Sequence, residues 1–235
     1  QRHVSQSQPA ARADATILEA EALINVPVLK NHSLTLVTLG IKNLHGTLSD
    51  EDKLFGHDYH RIPQKLVDIL RYNKPDLTVV DGVRGQEGDH ADMGRIVDTR
   101  LIISSTDTVA ADAVACAVMG FDNLEVDTTR LAHEQGLGVG DIGQIDIAGT
   151  PLADAIQPFA RPDIEISEAR FPGLRIIAGD YCRGCGYYVR RGIDRLVEAG
   201  VLDPNDKLTL VLGNDPEVPW RADRYSRWRP GPHIP

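Results

Sequence analysis

Short apolar runs alternate with helix-forming runs along most of the chain, and this alternation constrains the fold more than any other feature. Apolar runs bounded by turn residues predict strands at Ala22–Leu29, Leu77–Val80, Leu101–Ser104, Ile145–Ala148, Leu174–Ala178 and Leu208–Leu212. Capping residues and helical periodicity predict helices at Ser33–Leu44, Pro63–Tyr72, Thr108–Met119, Thr128–Gln135 and Tyr187–Ala199. Alternating strands and helices are typical of α/β proteins, so we expect a mainly parallel or mixed sheet with helices on both faces.

Composition indicates where the chain divides. Residues 150–172 are rich in proline and acidic side chains, which predicts a linker or an exposed excursion. We therefore expect an α/β domain over residues 1–150, a linker over 151–172, and a small C-terminal unit over 173–235. In that unit, strand, helix and strand precede an irregular tail.

Polar residues bracket the apolar segment from Ile24 to Gly46. They stand at the ends of its predicted strand and helix: Lys30, Asn31, His32, Lys42, Asn43 and His45. Buried polar groups need partners, and a helix N-terminus with a nearby lysine favours an anion. We therefore expect an anion-binding pocket with Lys30, His32 and Lys42 as catalytic candidates and Asn43 as a binding residue. In the alternative, both lysines reach solvent and the histidines make local hydrogen bonds.

A Gly- and Asp-rich stretch follows the buried strand Leu77–Val80. Residues 81–94 predict a loop, and ligands of open α/β sheets bind beyond the carboxyl ends of strands. Asp81, Gly82 and Glu87 are therefore candidates for cofactor binding, because the carboxylates of Asp81, Glu87 and Asp89 could hold a divalent metal ion or orient basic groups. A solvated acidic turn is the alternative.

Asp112 is the main polar interruption of an otherwise apolar predicted helix. A buried carboxylate needs a cation or hydrogen-bond donors. We expect Lys30 or Lys42 to be that partner, which makes Asp112 a further catalytic candidate in the same pocket. The alternative places Asp112 at a solvent-lined edge, and Cys116, one turn later, is expected to serve packing.

Cys182 and Cys185 form a Cys-x-x-Cys pair between a predicted strand and a predicted helix. A thiolate at a helix N-terminus beside Arg183 should have a lowered pKa and raised reactivity. Three roles stay open for the pair: a structural or disulfide role, metal or cluster ligation, and redox cycling. Since Cys116 is the third cysteine, one chain cannot supply four cysteines to a cluster.

The charge balance excludes some classes of partner. A formal net charge of −9 argues against general binding to nucleic acid or to an anionic membrane surface. No apolar run approaches the roughly 20 residues of a membrane-spanning helix. The sparse cysteines favour a reducing compartment, and we expect a cytoplasmic protein. The chain starts at Gln1 without a signal peptide, which indicates that it begins inside a larger gene product.

Four motifs occur in a fixed order: INVPVLKNHSLTLVTLGIKNLHG, DGVRGQEGD, SSTDTVAADAVACAVMGFD and HEQGLG. Over about residues 15–150 the chain thereby resembles the prokaryotic domain-of-unknown-function family 362. Members of that family often occur with ferredoxin-type iron–sulfur domains. The resemblance thus implies redox chemistry, an iron–sulfur cluster or divalent metal, and a ferredoxin-type electron partner. The family's motif positions fall on Lys30, His32, Lys42, Asn43, Asp81, Glu87, Asp107 and Asp112.

The chain departs from the family pattern in three ways. The upstream α/β segment usual in the family is missing, so we expect a second copy to complete the sheet in a homo-oligomer. The sequence GDHADMG stands where the family often has a Gly-Pro-containing loop. The ferredoxin run Cys-x-x-Cys-x-x-Cys is also missing, so a cluster would need Cys182 and Cys185 from two subunits, or other ligands.

Three functions are compatible with these features. A redox protein would combine the anion pocket with the cysteine pair. A metal-assisted hydrolase would use Asp81 and Glu87 with a divalent ion. A non-catalytic module would bind a phosphate- or carboxylate-bearing ligand. We favour the redox protein, mainly through the resemblance, and the binding module stays open because no nucleophile–base pair is evident.

Overall fold

The computed structural model describes residues 15–54, 61–88, 94–163, 166, 170–179, 181 and 183–213. The chain divides into two compact units, Gln1–Ile164 and Glu165–Pro235. Among the predictions made from sequence, those for Asp89, for Cys182 and for the tail after residue 213 lie outside the described residues. Within the described part of the chain, no helix is long and apolar enough to cross a membrane.

A mixed six-stranded sheet forms the first unit around one long strand. Its strands are β1 (Ile24–Asn25), β2 (Val28–His32), β3 (Leu36–Thr38), β4 (Leu77–Glu87), β5 (Arg95–Val97) and β6 (Leu101–Ser105). On one side, β4 pairs in parallel with β1 and β2, and β2 pairs with the antiparallel β3. On the other side, β4 pairs with the antiparallel β5 and β6. The predicted α/β class with a mixed sheet is confirmed.

Seven helices are described in this unit, most of them short. They are α1 (Ala15–Leu18), α2 (Gly40–Asn43), α3 (Asp50–Leu54), α4 (Ile62–Tyr72), α5 (Thr108–Val118), α6 (Asp127–Glu134) and α7 (Leu152–Ala155). Two 3-10 turns, Leu44–Thr47 and Ile142–Gln144, accompany them. The predicted positions of α4, α5 and α6 are confirmed to within one or two residues.

Two apolar clusters hold the helices to the sheet and to each other. Small residues let α5 approach the sheet closely. The first cluster includes Ala111 and Ala115 of α5 with Leu29, Leu39 and Val80. The second joins α4 and α6 to α2 and α5 through residues that include Ile41, Leu66, Leu70, Val109 and Ala132. Helix α2 is thus packed between the helical layer and the sheet.

Asp107 caps α5, as the sequence predicts. Its Oδ1 accepts hydrogen bonds from Val109 N at 2.8 Å and from Ala110 N at 3.2 Å. Its Oδ2 accepts a third bond, from Val139 N at 2.8 Å. Asp107 therefore fixes both the start of α5 and the segment after α6, which is a structural role.

The predicted helix Ser33–Leu44 is wrong. Residues 33–35 form a turn, β3 follows, and only α2 and the 3-10 turn after it are helical. Leu36 has φ of +67°, a left-handed conformation that suits the hairpin between β2 and β3. The β-branched residues Thr35, Val37 and Thr38 also favour a strand.

The predicted loop at residues 81–94 is also wrong in its first half. Residues 81–87 continue β4, because both edges of this stretch pair with neighbouring strands. Its glycines mark close approaches rather than a loop. A Cβ at Gly82 would lie 3.0 Å from Leu101 O, and one at Gly85 would lie 2.5 Å from Phe159 Cζ. The predicted strand Ile145–Ala148 pairs with no described strand and is wrong as well.

The C-terminal unit is a strand–helix–strand arrangement, as predicted. Strands β7 (Leu174–Ala178) and β8 (Leu208–Leu212) pair in parallel, and α8 (Arg183–Glu198) connects them. Asp194 of α8 is buried and accepts from Arg190 Nη1 and Arg170 Nη2, each at 3.1 Å. This charge cluster lies beside the apolar core of the unit.

Candidate anion-binding site

Asp112 holds the start of α2 against α5. Its carboxylate is 2% exposed and accepts hydrogen bonds from Gly40 N at 2.7 Å and Ile41 N at 2.9 Å. Burial raises the pKa of Asp112 to about 7, although the two N–H donors oppose the rise. The predicted ion pair of Asp112 with Lys30 or Lys42 is therefore wrong, because backbone amides occupy the carboxylate.

Two asparagines tie α2 to the sheet. Asn25 of β1 donates from Nδ2 to Gly40 O at 2.9 Å, and Asn43 donates from Nδ2 to Asn25 Oδ1 at 2.8 Å. The amide nitrogen of Asn43, a predicted binding residue, is thus engaged with Asn25. Together with Asp112, these bonds fix the position and direction of α2.

Lys30 and Lys42 form a half-buried lysine pair. Burial, followed by repulsion from the ammonium of Lys30, lowers the pKa of Lys42 to about 8. Among the residues that the structure describes, no carboxylate pairs with either ammonium group. The two lysines predicted to share a pocket therefore lie close enough to repel each other, and no described carboxylate compensates their charge.

Thr38 lies directly across the β2–β3 hairpin from Lys30. Cross-strand partners project from the same face of a sheet, so the Thr38 hydroxyl lies on the Lys30 side. Thr38 is 8% exposed, and its Oγ1 is buried with no hydrogen-bond partner within the described part of the chain. A buried hydroxyl in this state costs about 1–3 kcal/mol, which a bound ligand oxygen would relieve.

Lys30 and Asp112 lie on different sides of the sheet. Leu29 packs on the α5 face with Ala111, so Lys30, the next residue of β2, projects from the opposite face. Asp112 instead contacts the backbone of α2, which carries Lys42.

His32, predicted as catalytic, makes local hydrogen bonds. Its Nδ1 accepts from Leu34 N at 3.1 Å and from Thr35 N at 3.4 Å. These bonds close the turn between β2 and β3. The lone pair of this ring nitrogen is therefore used, and His32 supports the hairpin that places Thr38 opposite Lys30.

The acidic candidates do not come together. Asp81 and Glu87 each have partners of their own, and within the described residues neither belongs to a group of three side chains that could hold a metal ion. Asp81 accepts from Val83 N, next to Gly82, at 3.0 Å.

Glu87 is buried and accepts from Arg95 Nε and Ala160 N, each at 2.6 Å. Burial raises the pKa of Glu87, but these bonds outweigh it and hold the pKa below its ordinary value. Glu87 therefore attaches residue 160 to the end of β4.

The described cysteines form no metal centre. Cys116 is fully buried, and burial raises the pKa of its thiol, which fits the expected packing role. Cys185 is exposed in the first turn of α8, whereas Cys182 lies outside the described residues. Across the described ranges, no group of three His, Cys, Asp or Glu side chains could hold a metal ion.

Sequence reasoning missed Thr38 and Asn25. It assigned Thr38 to a helix, although Leu34–Leu39 alternates Leu or Val with Thr at several positions, which would have indicated a strand. Asn25 had no signal beyond being a polar residue inside an apolar run.

The fold and the site define an α/β protein with a mixed sheet and a half-buried lysine pair that no described carboxylate neutralises. Residues 4–117 match the model of the family described as Domain of unknown function (DUF362). This range includes β1 to β6, the lysine pair, Thr38 and Asp112, and it is shorter than the expected 15–150 at its C-terminal end.

A curated relative is the "Thylakoid-associated protein sll1697" of Synechocystis sp.. The two proteins are 29% identical over 131 residues, which is 54% of this chain. The alignment covers 41% of the relative, so the chain spans about two fifths of that protein's length. No solved structure matches the chain.

Proposed function

We propose that the protein binds a small anionic ligand, one that carries a phosphate or a carboxylate, at Lys30, Lys42 and Thr38. The observation that carries the proposal is the half-buried lysine pair that no described carboxylate neutralises. Two like charges in a partly desolvated setting favour an opposite charge between them. The buried Thr38 hydroxyl supplies a donor for a ligand oxygen.

The protonation of Lys42 links binding to pH. The pKa of Lys42 is about 8 without ligand, and a bound anion would raise it because the anion stabilises the ammonium form. Binding near pH 8 therefore takes up a proton. We expect affinity to be highest below pH 8 and to fall as the pH rises through 8 and above.

Titration calorimetry with inorganic phosphate and with acetate tests the proposal. Lys30→Met and Lys42→Met each remove one charge and keep most of the side-chain volume, so each should weaken binding at least tenfold at pH 7. Lys74→Met is the matched control, because Lys74 is an exposed lysine of the same unit. Equal affinity of Lys42→Met and Lys74→Met, or no heat with either anion, would refute the proposal.

Thr38→Val separates binding from folding. The substitution removes an unpartnered buried hydroxyl, so the ligand-free protein should be as stable as the wild type or more stable. Anion affinity should fall several-fold, because the ligand loses a hydrogen bond. If the variant loses stability and keeps full anion affinity, the Thr38 hydroxyl stabilises the fold and does not bind the ligand.

The redox or iron–sulfur function remains a prediction that rests on the family resemblance and on the pair Cys182 and Cys185. Anaerobic purification followed by metal analysis and a visible spectrum tests it. A colourless, metal-free protein that keeps its fold would exclude a resident cluster. The anion site does not depend on this outcome, since its residues lie in the other unit.

A further inference from the structure

A cleft lies between the edge strand β6 and residues 145–150. Within the described residues, β6 pairs with β4 alone, which leaves its other edge unpaired. Residues 145–150 line the far side of the cleft, and the backbone of 146–150 makes no hydrogen bond to any described residue. Two unpaired backbone stretches thus face a common space.

The cleft has the size of a short strand. Its volume is about 500 Å³. A strand residue in a packed sheet takes roughly 3.3 Å along the strand, 4.8 Å across and 10 Å through the sheet, or roughly 160 Å³. The cleft therefore holds about three residues of an added strand, somewhat fewer than the length of β6.

The residues that line the cleft determine which side chains the added strand could have. Small and apolar side chains of α5 and α7 line the helical side of the cleft: Ala110, Ala111, Val114, Val118, Leu152 and Ala155. They leave room for small apolar side chains on the inner face of the strand. Asp146 is the charged residue of the lining, and it is exposed without a described cationic partner. Charge complementarity therefore calls for a lysine or arginine opposite Asp146.

We propose that this cleft binds an extended, basic peptide segment of a partner protein, which adds as a strand between β6 and residues 145–150. Backbone hydrogen bonds on both edges supply affinity, as in other cases of strand addition. The small lining residues and Asp146 supply selectivity. The surface is separate from the lysine pair and does not rest on the anion-binding proposal.

Charge reversal at Asp146 gives a sharp test. The probe is a library of acetylated, amidated heptapeptides with alanine or valine at alternate positions and lysine at the centre. A matched library has glutamate in place of that lysine. Fluorescence polarisation should show at least tenfold preference of the wild type for the lysine library. Asp146→Lys should reverse the preference, while Asp154→Lys, which changes an exposed acid outside the lining, should not.

Hydrogen exchange identifies the mode of binding. Strand addition should slow amide exchange in both 101–105 and 145–150 when the lysine library binds, and a proline-centred library should give no such effect. Unchanged exchange in either segment, or equal binding of the proline library, would overturn the proposal. Protection that appears without peptide would mean that residues 145–150 close onto β6 themselves. Protection that rises with protein concentration alone would mean that a second copy occupies the cleft. Either result also overturns it.

Discussion

Replacing Gly40 by alanine should disrupt the contact that fixes α2 to α5. An added Cβ would lie 2.8 Å from Asp112 Oδ1, 2.8 Å from Thr108 Cγ2 and 3.0 Å from Thr78 Cγ2. All three neighbours are buried, and the threonine side chains are stiff at χ1. The added methyl group can be accommodated only if α2 moves away from the Asp112 carboxylate.

The cost follows from these contacts. Overpacking of a well-packed core costs about 1–3 kcal/mol. A hydrogen bond to a charged group contributes about 1.5–3 kcal/mol, and the movement of α2 should break at least one of the two bonds to Asp112. Alanine leaves the unfolded chain fewer conformations than glycine does, and this effect stabilises the folded variant by about 0.4–1 kcal/mol. The free energy of unfolding should therefore fall by about 2–5 kcal/mol.

Urea unfolding followed by circular dichroism measures this loss. With a slope of about 2 kcal/mol per molar urea, the midpoint should fall by roughly 1–2.5 M. Gly46→Ala is the matched control, because no atom lies within 4 Å of the added Cβ there. Hydrogen exchange should accelerate in residues 36–47 of the Gly40 variant alone. If Gly40→Ala and Gly46→Ala unfold at the same urea concentration, the close approach of α2 to Asp112 is not a determinant of stability.

Two further predictions concern buried carboxylates. The folded-state pKa of Asp112, about 7, lies above its ordinary value of 3.8, so the folded protein binds this proton more tightly than the unfolded chain. Its contribution to stability should be full below pH 4 and should be lost as the pH rises to 7, a change of roughly 4 kcal/mol that Asp112→Asn removes. Parallel stability curves of wild type and Asn variant between pH 4 and 8 would contradict this. In the C-terminal unit, Asp194→Ala should lower stability by about 3–5 kcal/mol, because it leaves the buried Arg190 charge without this carboxylate. Thermal unfolding measures the loss, with the exposed Glu198→Ala as the control, and similar melting temperatures of the two variants would count against it.

Local signals predicted α4 and α5 well. The first-turn proline of α4 and the capping Asp107 of α5 are features of adjacent residues, and both elements occur where those signals place them. The predictions were wrong where one residue type occurs in two kinds of structure. Gly82 and Gly85 indicated a loop, yet they lie in a strand because a backbone carbonyl and Phe159 approach them too closely for a side chain. Such approaches depend on residues distant in the chain.

The lysine pair could be predicted in part. Lys30 and Lys42 stood out because both follow apolar runs, and the structure brings their charges close together. Thr38 could not be found while β3 was taken for a helix. The partner of Asp112 was missed because backbone amides are not visible in a sequence. A carboxylate between two lysine-bearing segments invites an ion pair, whereas a free N–H at the start of α2 is a property of the folded backbone.

The incorrect ion pair strengthens the case for an anion site. If Asp112 had paired with Lys42, the pocket would hold a compensated charge pair and would attract an anion only weakly. Because Gly40 N and Ile41 N satisfy Asp112, its carboxylate makes no ion pair with either lysine. The raised pKa of Asp112 further reduces its negative charge near neutral pH. The same carboxylate that positions Lys42 therefore leaves both ammonium groups available to a ligand.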